Sequence, residues 1–315
     1  MKYALCFPGQ GAQQVGMGKE LFGAFPAAKA VFEEADDALS AHLTELIFNG
    51  PEGELTLTAN AQPAIMTVSV AAFRALQEDM GMELTPAFTA GHSLGEYTAL
   101  VAAGTLSFRD AVRLVNKRGQ WMQEAAPEGV GAMAAILGLG ADDIRAVCAE
   151  AAPNGECQAA NFNSPGQVVI SGVAEFVDKV SELAKAKGAR KAVRLNVSAP
   201  FHSRLMIPAA EKLKAEFEKC GWSDPRWPVV ANVSAKPLTA ADAIRASLYE
   251  QTFSPVLWED SGVYMADNGV DTFLELGPGE VLCGLIKRCR KGLTQKAAGT
   301  PETLETLANL LRGEA

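Results

Sequence analysis

Two hydrophobic periods alternate along the chain, and they separate strands from helices. Tyr3 to Phe7 is an unbroken apolar run that predicts a buried strand, stopped by Pro8-Gly9-Gln10-Gly11. A helix is predicted from Pro26, with Val31, Phe32, Ala35 and Leu39 on one face. A longer one runs from Asn60 to Asp79, with Ile65, Val68, Ala72 and Leu76 on one face. The polar segment 49–58 between them reads as a loop. Ala87 to Ala90 reads as a short strand and Leu94 to Ala103 as an Ala/Leu-rich helix. Ser107 starts the next helix, and Asp110 three residues on completes a capping-box-like pair. Its apolar stripe is Ala111, Leu114, Val115 and Met122, with Arg113 and Lys117 on the wet side.

Between residues 129 and 198 the order changes. Gly131 to Gly138 is strand-like, Ala141 to Ala152 helical, and Cys157 to Asn163 and Gln167 to Gly172 are strands joined by a Ser-Pro-Gly turn. A helix from Ala174 to Lys187 and a strand from Arg190 to Val197 complete a β-α-β-β-α-β order, the ferredoxin-like arrangement. Downstream, Ser203 to Lys219 is helical and Val229 to Val233 is a strand. Thr239 with Asp242 caps a helix reaching Gln251, and Ser254-Pro255 opens another that Gly269 ends. Val270 to Leu276 is a strand, Gly277-Pro278-Gly279 a turn, and Glu280 to Arg290 a helix. Residues 291–315 read as a polar connector and a short final helix. Strand–helix alternation outside the middle segment predicts an α/β core with a parallel sheet. We therefore expect a large subdomain from residues 1–128 and 199–315, interrupted by a small one at 129–198.

Composition removes function classes rather than adding them. A formal charge of −9 argues against nonspecific nucleic-acid binding and against attraction to anionic membranes. The six cysteines are scattered with no C-x-x-C pair, so neither a zinc ribbon nor a disulfide framework is expected, and no metal. No signal peptide is visible after Met1-Lys2-Tyr3, and no apolar run reaches the roughly 18 residues of a membrane span. A cytoplasmic protein is the expectation.

The chemistry centres on Gly91-His92-Ser93-Leu94-Gly95, a G-x-S-x-G run between a strand and a helix. In such an elbow a Cβ at either glycine collides with its neighbours, and the helix N-terminus lies under the serine. The plain alternative is a helix start that happens to hold glycines. A serine needs a base, and the chain has only 3 histidines. His92 directly precedes Ser93 and should point away across the elbow; His42 has no catalytic neighbour in sequence. His202, in a Pro-containing loop, remains by elimination, with a surface or capping histidine as the alternative. The acids between Ser93 and His202 fall mostly on wet helix faces, so the expected arrangement is a Ser–His dyad oriented by something other than a carboxylate. The Leu94 N–H is one natural oxyanion donor; the Pro8–Gly11 loop supplies a second unless it is an ordinary turn. Arg118 lies on the apolar stripe of its helix, where it either snorkels, pairs structurally, or meets a substrate carboxylate. Lys287, Arg288, Arg290 and Lys291 close a helix, where the dipole favours cations or a partner binds; Arg190 and Lys191 form a weaker second group.

Taken together, Phe7-Pro8-Gly9-Gln10-Gly11, Gly91-His92-Ser93-Leu94-Gly95-Glu96, Arg118-Gly119, Asn161-Phe162-Asn163-Ser164-Pro165-Gly166-Gln167, Phe201-His202-Ser203 and Glu275-Leu276-Gly277-Pro278-Gly279 resemble the malonyl-CoA:acyl carrier protein transacylase family over residues 3–290. The resemblance implies an α/β-hydrolase-like large subdomain with a ferredoxin-like small one. It implies Ser93 as nucleophile, His202 as base, and the backbone N–H groups of Gln10 and Leu94 as the oxyanion hole. It puts Arg118 on the malonyl carboxylate and makes Phe201 and Asn163 substrate-binding. In this family a backbone carbonyl near a glutamine orients the histidine, and Gln251 stands at the matching place. Leu94 and Phe201 go with malonyl rather than methylmalonyl units, and related hydrolases lack the arginine. The implied reaction is ping-pong malonyl transfer from coenzyme A to a carrier protein, without a cofactor. The carrier would dock through Lys287, Arg288, Arg190 and Lys191, and a monomer is expected. The competing readings are a serine thioesterase of the same fold and a non-catalytic carrier binder.

Overall fold

The computed structural model describes residues 1–127, 129–197 and 199–314. Glu128 and Ser198, at the expected subdomain boundaries, and the terminal Ala315 lie outside the described residues. The strands are β1 (Tyr3–Phe7), β2 (Phe88–Gly91), β3 (Gly131–Leu137), β4 (Cys157–Ser164), β5 (Gln167–Val173), β6 (Lys191–Arg194), β7 (Val229–Val230), β8 (Pro237–Leu238), β9 (Val256–Leu257), β10 (Thr272–Leu276) and β11 (Thr294–Ala298). They form two sheets, ordered β11-β10-β1-β2-β7-β8 and β6-β3-β5-β4-β9.

The first sheet is parallel from β11 to β7, with β8 antiparallel at its edge. Its central strand shows why an unbroken apolar run is needed. Tyr3, Leu5 and Phe7 face one core, with the helices Pro26–Leu39, Thr58–Arg74 and Phe108–Glu124. Ala4 and Cys6 face another, with the helices Trp258–Asp267 and Val281–Cys289. A strand covered on both faces cannot alternate polar and apolar residues. The second sheet is antiparallel apart from its β4–β9 pair. The helices Ala141–Ala151 and Ala174–Ala186 cover one face of it. Its other face packs Met133, Ala160 and Val169 against Met122, Phe201 and Met206, which joins the two sheets around the cavity described below.

The fold departs from the sequence expectations at several places. Segment 49–58 is not a loop: the helices Leu43–Asn49 and Glu52–Thr56 flank Gly50-Pro51. The helix expected from Asn60 starts at Thr58 and tolerates Pro63 inside it. The carbonyl of Ala59, which Pro63 cannot reach with an N–H, accepts from Asn116 Nδ2 at 2.9 Å instead. Arg113 and Lys117 do lie on the solvent side, Arg113 exposed and Lys117 half-buried, where Arg113 donates to the Ala38 carbonyl at 2.8 Å and Lys117 pairs with Glu216 at 2.6 Å. Thr239 does not cap the helix Ala241–Gln251, whose N-cap is Ala240.

Ser254-Pro255 does not open a helix either. Val256 and Leu257 form β9 beside Asn161 and Phe162, and the helix begins at Trp258. Pairing with a distant strand satisfies this backbone, so the second sheet extends beyond residues 129–198. Residues 294–298, read as connector, are the edge strand β11; their alternating exposure is what an edge strand shows.

Candidate active site

β2 ends at Gly91 and the helix Leu94–Ala102 begins directly after Ser93, so the serine sits on the turn itself. Its φ is 53° with ψ −108°, a sparsely populated positive-φ conformation that costs a residue with a Cβ about 1–3 kcal/mol. The flanking glycines make the turn possible. A Cβ on Gly91 would lie 2.0 Å from the Gly95 backbone, and one on Gly95 would lie 2.1 Å from the Phe7 carbonyl oxygen.

A buried polar network holds this strained turn from below. The Ser93 N–H donates to Asn232 Oδ1 at 2.7 Å, and Asn232 Nδ2 donates to the Gly91 carbonyl at 2.7 Å. Glu96 Oε2 accepts from the Asn232 N–H at 3.0 Å and from Gln251 Nε2 at 3.0 Å. Gln251 Nε2 also donates to the Ser93 carbonyl at 2.9 Å. Burial pushes the Glu96 carboxyl up to about 7, against the opposing pull of its donors and of Arg118.

Above the turn stand the reactive groups. Ser93 Oγ lies 2.8 Å from His202 Nε2, and His202 Nδ1 lies 2.8 Å from the Gln251 carbonyl oxygen. A carbonyl only accepts, so Nδ1 carries the proton and Nε2 is left as the acceptor for the serine hydroxyl. This tautomer follows from the partners, without a carboxylate. Burial and the nearby Arg118 charge push the imidazole pKa down to about 3, so the ring is neutral at physiological pH and Nε2 keeps its lone pair free. His202 is itself at φ 56°.

Arg118 is 1% exposed and lies beside the hydroxyl. Nη1 donates to Gln62 Oε1 at 2.8 Å, while Nη2 donates to Ser93 Oγ at 3.0 Å and to Gln251 Oε1 at 3.1 Å. The guanidinium also stacks 5.6 Å from the Tyr97 ring centre. None of the ion pairs among the described residues includes it, and its Nε has no hydrogen-bond partner. Gly119 lets this helix approach closely enough, because a Cβ there would lie 2.5 Å from the Thr58 carbonyl oxygen. Of the readings open for Arg118, snorkelling and a structural ion pair are therefore excluded.

These groups open into one cavity of about 570 Å³, also lined by Gln10, Leu94 and Phe201. Leu94 is the first residue of its helix, and neither its N–H nor that of Gln10 has a hydrogen bond among the described residues.

Asn163 does not line the cavity. Its Oδ1 accepts from His92 Nε2 at 2.8 Å, which holds the ring against Trp258. The bulged register of β4 instead brings Asn161 to the wall, its Oδ1 without a hydrogen-bond partner among the described residues. His92 also lines the cavity, so it does not turn fully away from it. The sequence reading missed Glu96 and Asn232. Glu96 was detectable as a lone charge in an otherwise apolar helix; Asn232 carries no local signal.

The basic residues gather although they are distant in sequence. Arg288 donates to Gln167 at 2.7 Å. Gln167 and Lys191 are both register partners of Leu137, on either side of β3. Arg190, Lys191, Lys287 and Arg288 are all exposed.

A serine on a strained elbow, a neutral histidine within hydrogen-bond reach of its hydroxyl and two backbone N–H groups without a partner among the described residues are the parts that serine acyl chemistry requires. Residues 5–307 match the family model described as acyl transferase domain. The malonyl CoA-acyl carrier protein transacylase of Bacillus subtilis (strain 168) is 52% identical over 314 residues, covering 99% of this chain and 98% of that protein. The protein of that name from Escherichia coli (strain K12) is 48% identical, covering 98% and 99%. The crystal structure of acyl-carrier-protein-S-malonyltransferase from Bartonella henselae superposes with a TM-score of 0.96 at 46% identity, covering 99% of this chain and 100% of that one. A malonyl-transacylase solved in complex with its type II PKS acyl-carrier protein gives 0.95 at 44% identity, covering 98% and 100%. The chain belongs to the malonyl-CoA:acyl carrier protein transacylase family.

Proposed function

We propose that the chain transfers the malonyl group from malonyl-CoA to the phosphopantetheine thiol of an acyl carrier protein, supplying fatty-acid or polyketide synthesis. The family supports the reaction, and one observation carries the substrate: a buried arginine beside the serine hydroxyl that has no ion-pair partner among the described residues. A malonyl carboxylate supplies the missing anion, and the planar guanidinium fork suits it.

The transfer runs in two halves. Ser93 Oγ attacks the thioester carbonyl while its proton passes to His202 Nε2. The oxyanion takes hydrogen bonds from the Leu94 and Gln10 N–H groups, a kind of contact worth about 2.7–4 kcal/mol per donor. Collapse breaks the C–S bond, and the leaving coenzyme A sulfur takes the proton from His202. A malonyl-serine ester remains. The carrier thiol then gives its proton to His202 and attacks the ester, and Ser93 leaves with that proton. The scheme balances without a cofactor.

The exposed cations around Arg288 suit an acidic carrier, and the β4–β5 turn between Gln167 and Asn163 leads from them toward His92. In this reading residues 1–128 and 199–315 are the catalytic subdomain, 129–198 the small one, and the chain works as a cytoplasmic monomer. Among the described residues, no helix is long and apolar enough to cross a membrane. The test is a transfer assay with one carrier protein, comparing malonyl-, methylmalonyl- and acetyl-CoA. Malonyl should outpace acetyl by orders of magnitude; equal rates would refute the arginine clamp.

A further inference from the structure

We infer that Gln158 is a positioning residue for His202: its carboxamide ties the backbone of the base to the backbone segment that orients the base. The inference rests on the dyad reading above. Gln158 lies on β4 of the second sheet, while the nucleophile is carried by the first. Its Nε2 donates to the His202 carbonyl at 3.1 Å and to the Phe253 carbonyl at 3.3 Å. A primary amide nitrogen carries two protons, one for each acceptor.

Both acceptors belong to backbone that needs holding. His202 has φ 56°, and a β-carbon-bearing residue stays in that region only when its surroundings fix it. The imidazole is held at both nitrogens, by Ser93 Oγ and by the Gln251 carbonyl. Those contacts fix the ring and leave the following peptide plane free. No other side chain among the described residues donates to the His202 carbonyl. Gln251 ends the helix Ala241–Gln251, so its carbonyl is one of the last four that lack an intrahelical partner. What aims that carbonyl is the course of residues 252–254, and Phe253 is where Gln158 grips it. One side chain from the opposite wall thus sets the distance between the imidazole and its own acceptor. Gln158 makes no hydrogen bond to Arg118 or Ser93 among the described residues, so its effect should fall on proton transfer and spare the binding of the malonyl carboxylate.

The test uses the full chain and follows acylation of Ser93 by labelled malonyl-CoA, then transfer to a carrier protein, for Gln158→Leu, Gln158→Glu, His202→Ala and the double variant Gln158→Leu/His202→Ala. Loss of two ordinary hydrogen bonds predicts about a tenfold fall in kcat for Gln158→Leu, with KM for malonyl-CoA unchanged. Gln158→Glu, which keeps the length but turns an acceptor onto two carbonyls, should fall further. In the His202→Ala background, Gln158→Leu should cost nothing more, because a residue acting through another loses its effect once that other is gone. Wild-type kcat in Gln158→Leu, with His202→Ala depressed, overturns the inference and leaves the dyad standing. An equal further loss in the His202→Ala background overturns it too, as the mark of a merely structural role. Full activity in His202→Ala would bring down the dyad itself and this inference with it.

Discussion

The polar groups below Ser93 and those above it are built from similar residues and treated in opposite ways. Below the turn, Glu96, Asn232 and the Gln251 amide nitrogen spend their groups on one another and on the backbone of residues 91–93. Above it, Arg118 Nε and the N–H groups of Leu94 and Gln10 have no partner among the described residues. Burying polar groups is costly unless they are paired, so a ligand that completes this deficit binds favourably there. In the proposed reaction the paired layer is scaffold for a strained serine, and the unpaired layer takes the anionic ligand and the charge that appears during reaction.

That contrast can be broken from either side, and the upper layer should respond most strongly. Arg118→Ala should cut malonyl use about 30- to several-thousand-fold, the range implied by roughly 2–5 kcal/mol for one partner of a buried charge pair. Steady-state rates with malonyl- and acetyl-CoA check this, and acetyl use should change far less. In the lower layer, Asn232→Ala strands the Ser93 N–H and the Gly91 carbonyl. Two buried unpaired groups cost roughly 2–6 kcal/mol, so the melting temperature should fall together with kcat. An unchanged kcat at lower stability would separate the scaffold from the chemistry.

The pH dependence of stability sharpens the same comparison, because the two layers oppose each other. Glu96 titrates at about 7 in the folded chain against 4.5 ordinarily, so the folded state binds its proton more tightly. Its contribution is complete below pH 4.5 and is lost as pH rises to about 7. His202, pushed down to about 3 from 6.5, does the reverse: its contribution is present above 6.5 and is lost as pH falls toward 3. Glu96→Gln keeps a carbonyl acceptor and removes the first effect. Denaturant titrations should show this variant gaining on the wild type by up to about 1.4 kcal/mol per pH unit between the two Glu96 values. A constant difference would contradict the shift. The smallest effect should come from the exposed basic group. Arg288→Glu should raise KM for the carrier protein about tenfold or less, more at low salt, and leave KM for malonyl-CoA alone.

What was legible in the sequence is what local sterics dictate. The elbow could be read because glycine is the only residue that fits where the Gly95 and Phe7 backbones pass so close. Arg118 could be read because a cation on an apolar stripe is anomalous wherever the helix packs. β1 could be read because a strand buried on both faces has to be apolar throughout. The misreadings nearest the site share one cause, which is long-range pairing. Ser254-Pro255 carries the local signs of a helix start, but Val256 and Leu257 are claimed by Asn161 and Phe162. Asn163 belongs to a motif, yet a bulge in β4 decides which asparagine reaches the cavity. Asn232 sits 139 residues from the backbone N–H that it accepts from, and nothing near it in the chain announces that partner. Gln251 was indicated only by family resemblance, because its backbone carbonyl orients the histidine and any residue has one.

The central claim is that Ser93 carries the malonyl group between two thiols. Brief incubation of the full chain with malonyl-CoA, acid quench and peptide mass spectrometry tests it directly. A malonyl adduct on Ser93, absent from Ser93→Ala and discharged by adding holo carrier protein, is the expected result. A folded chain that shows no adduct, or whose adduct sits elsewhere or resists the carrier thiol, would contradict the account.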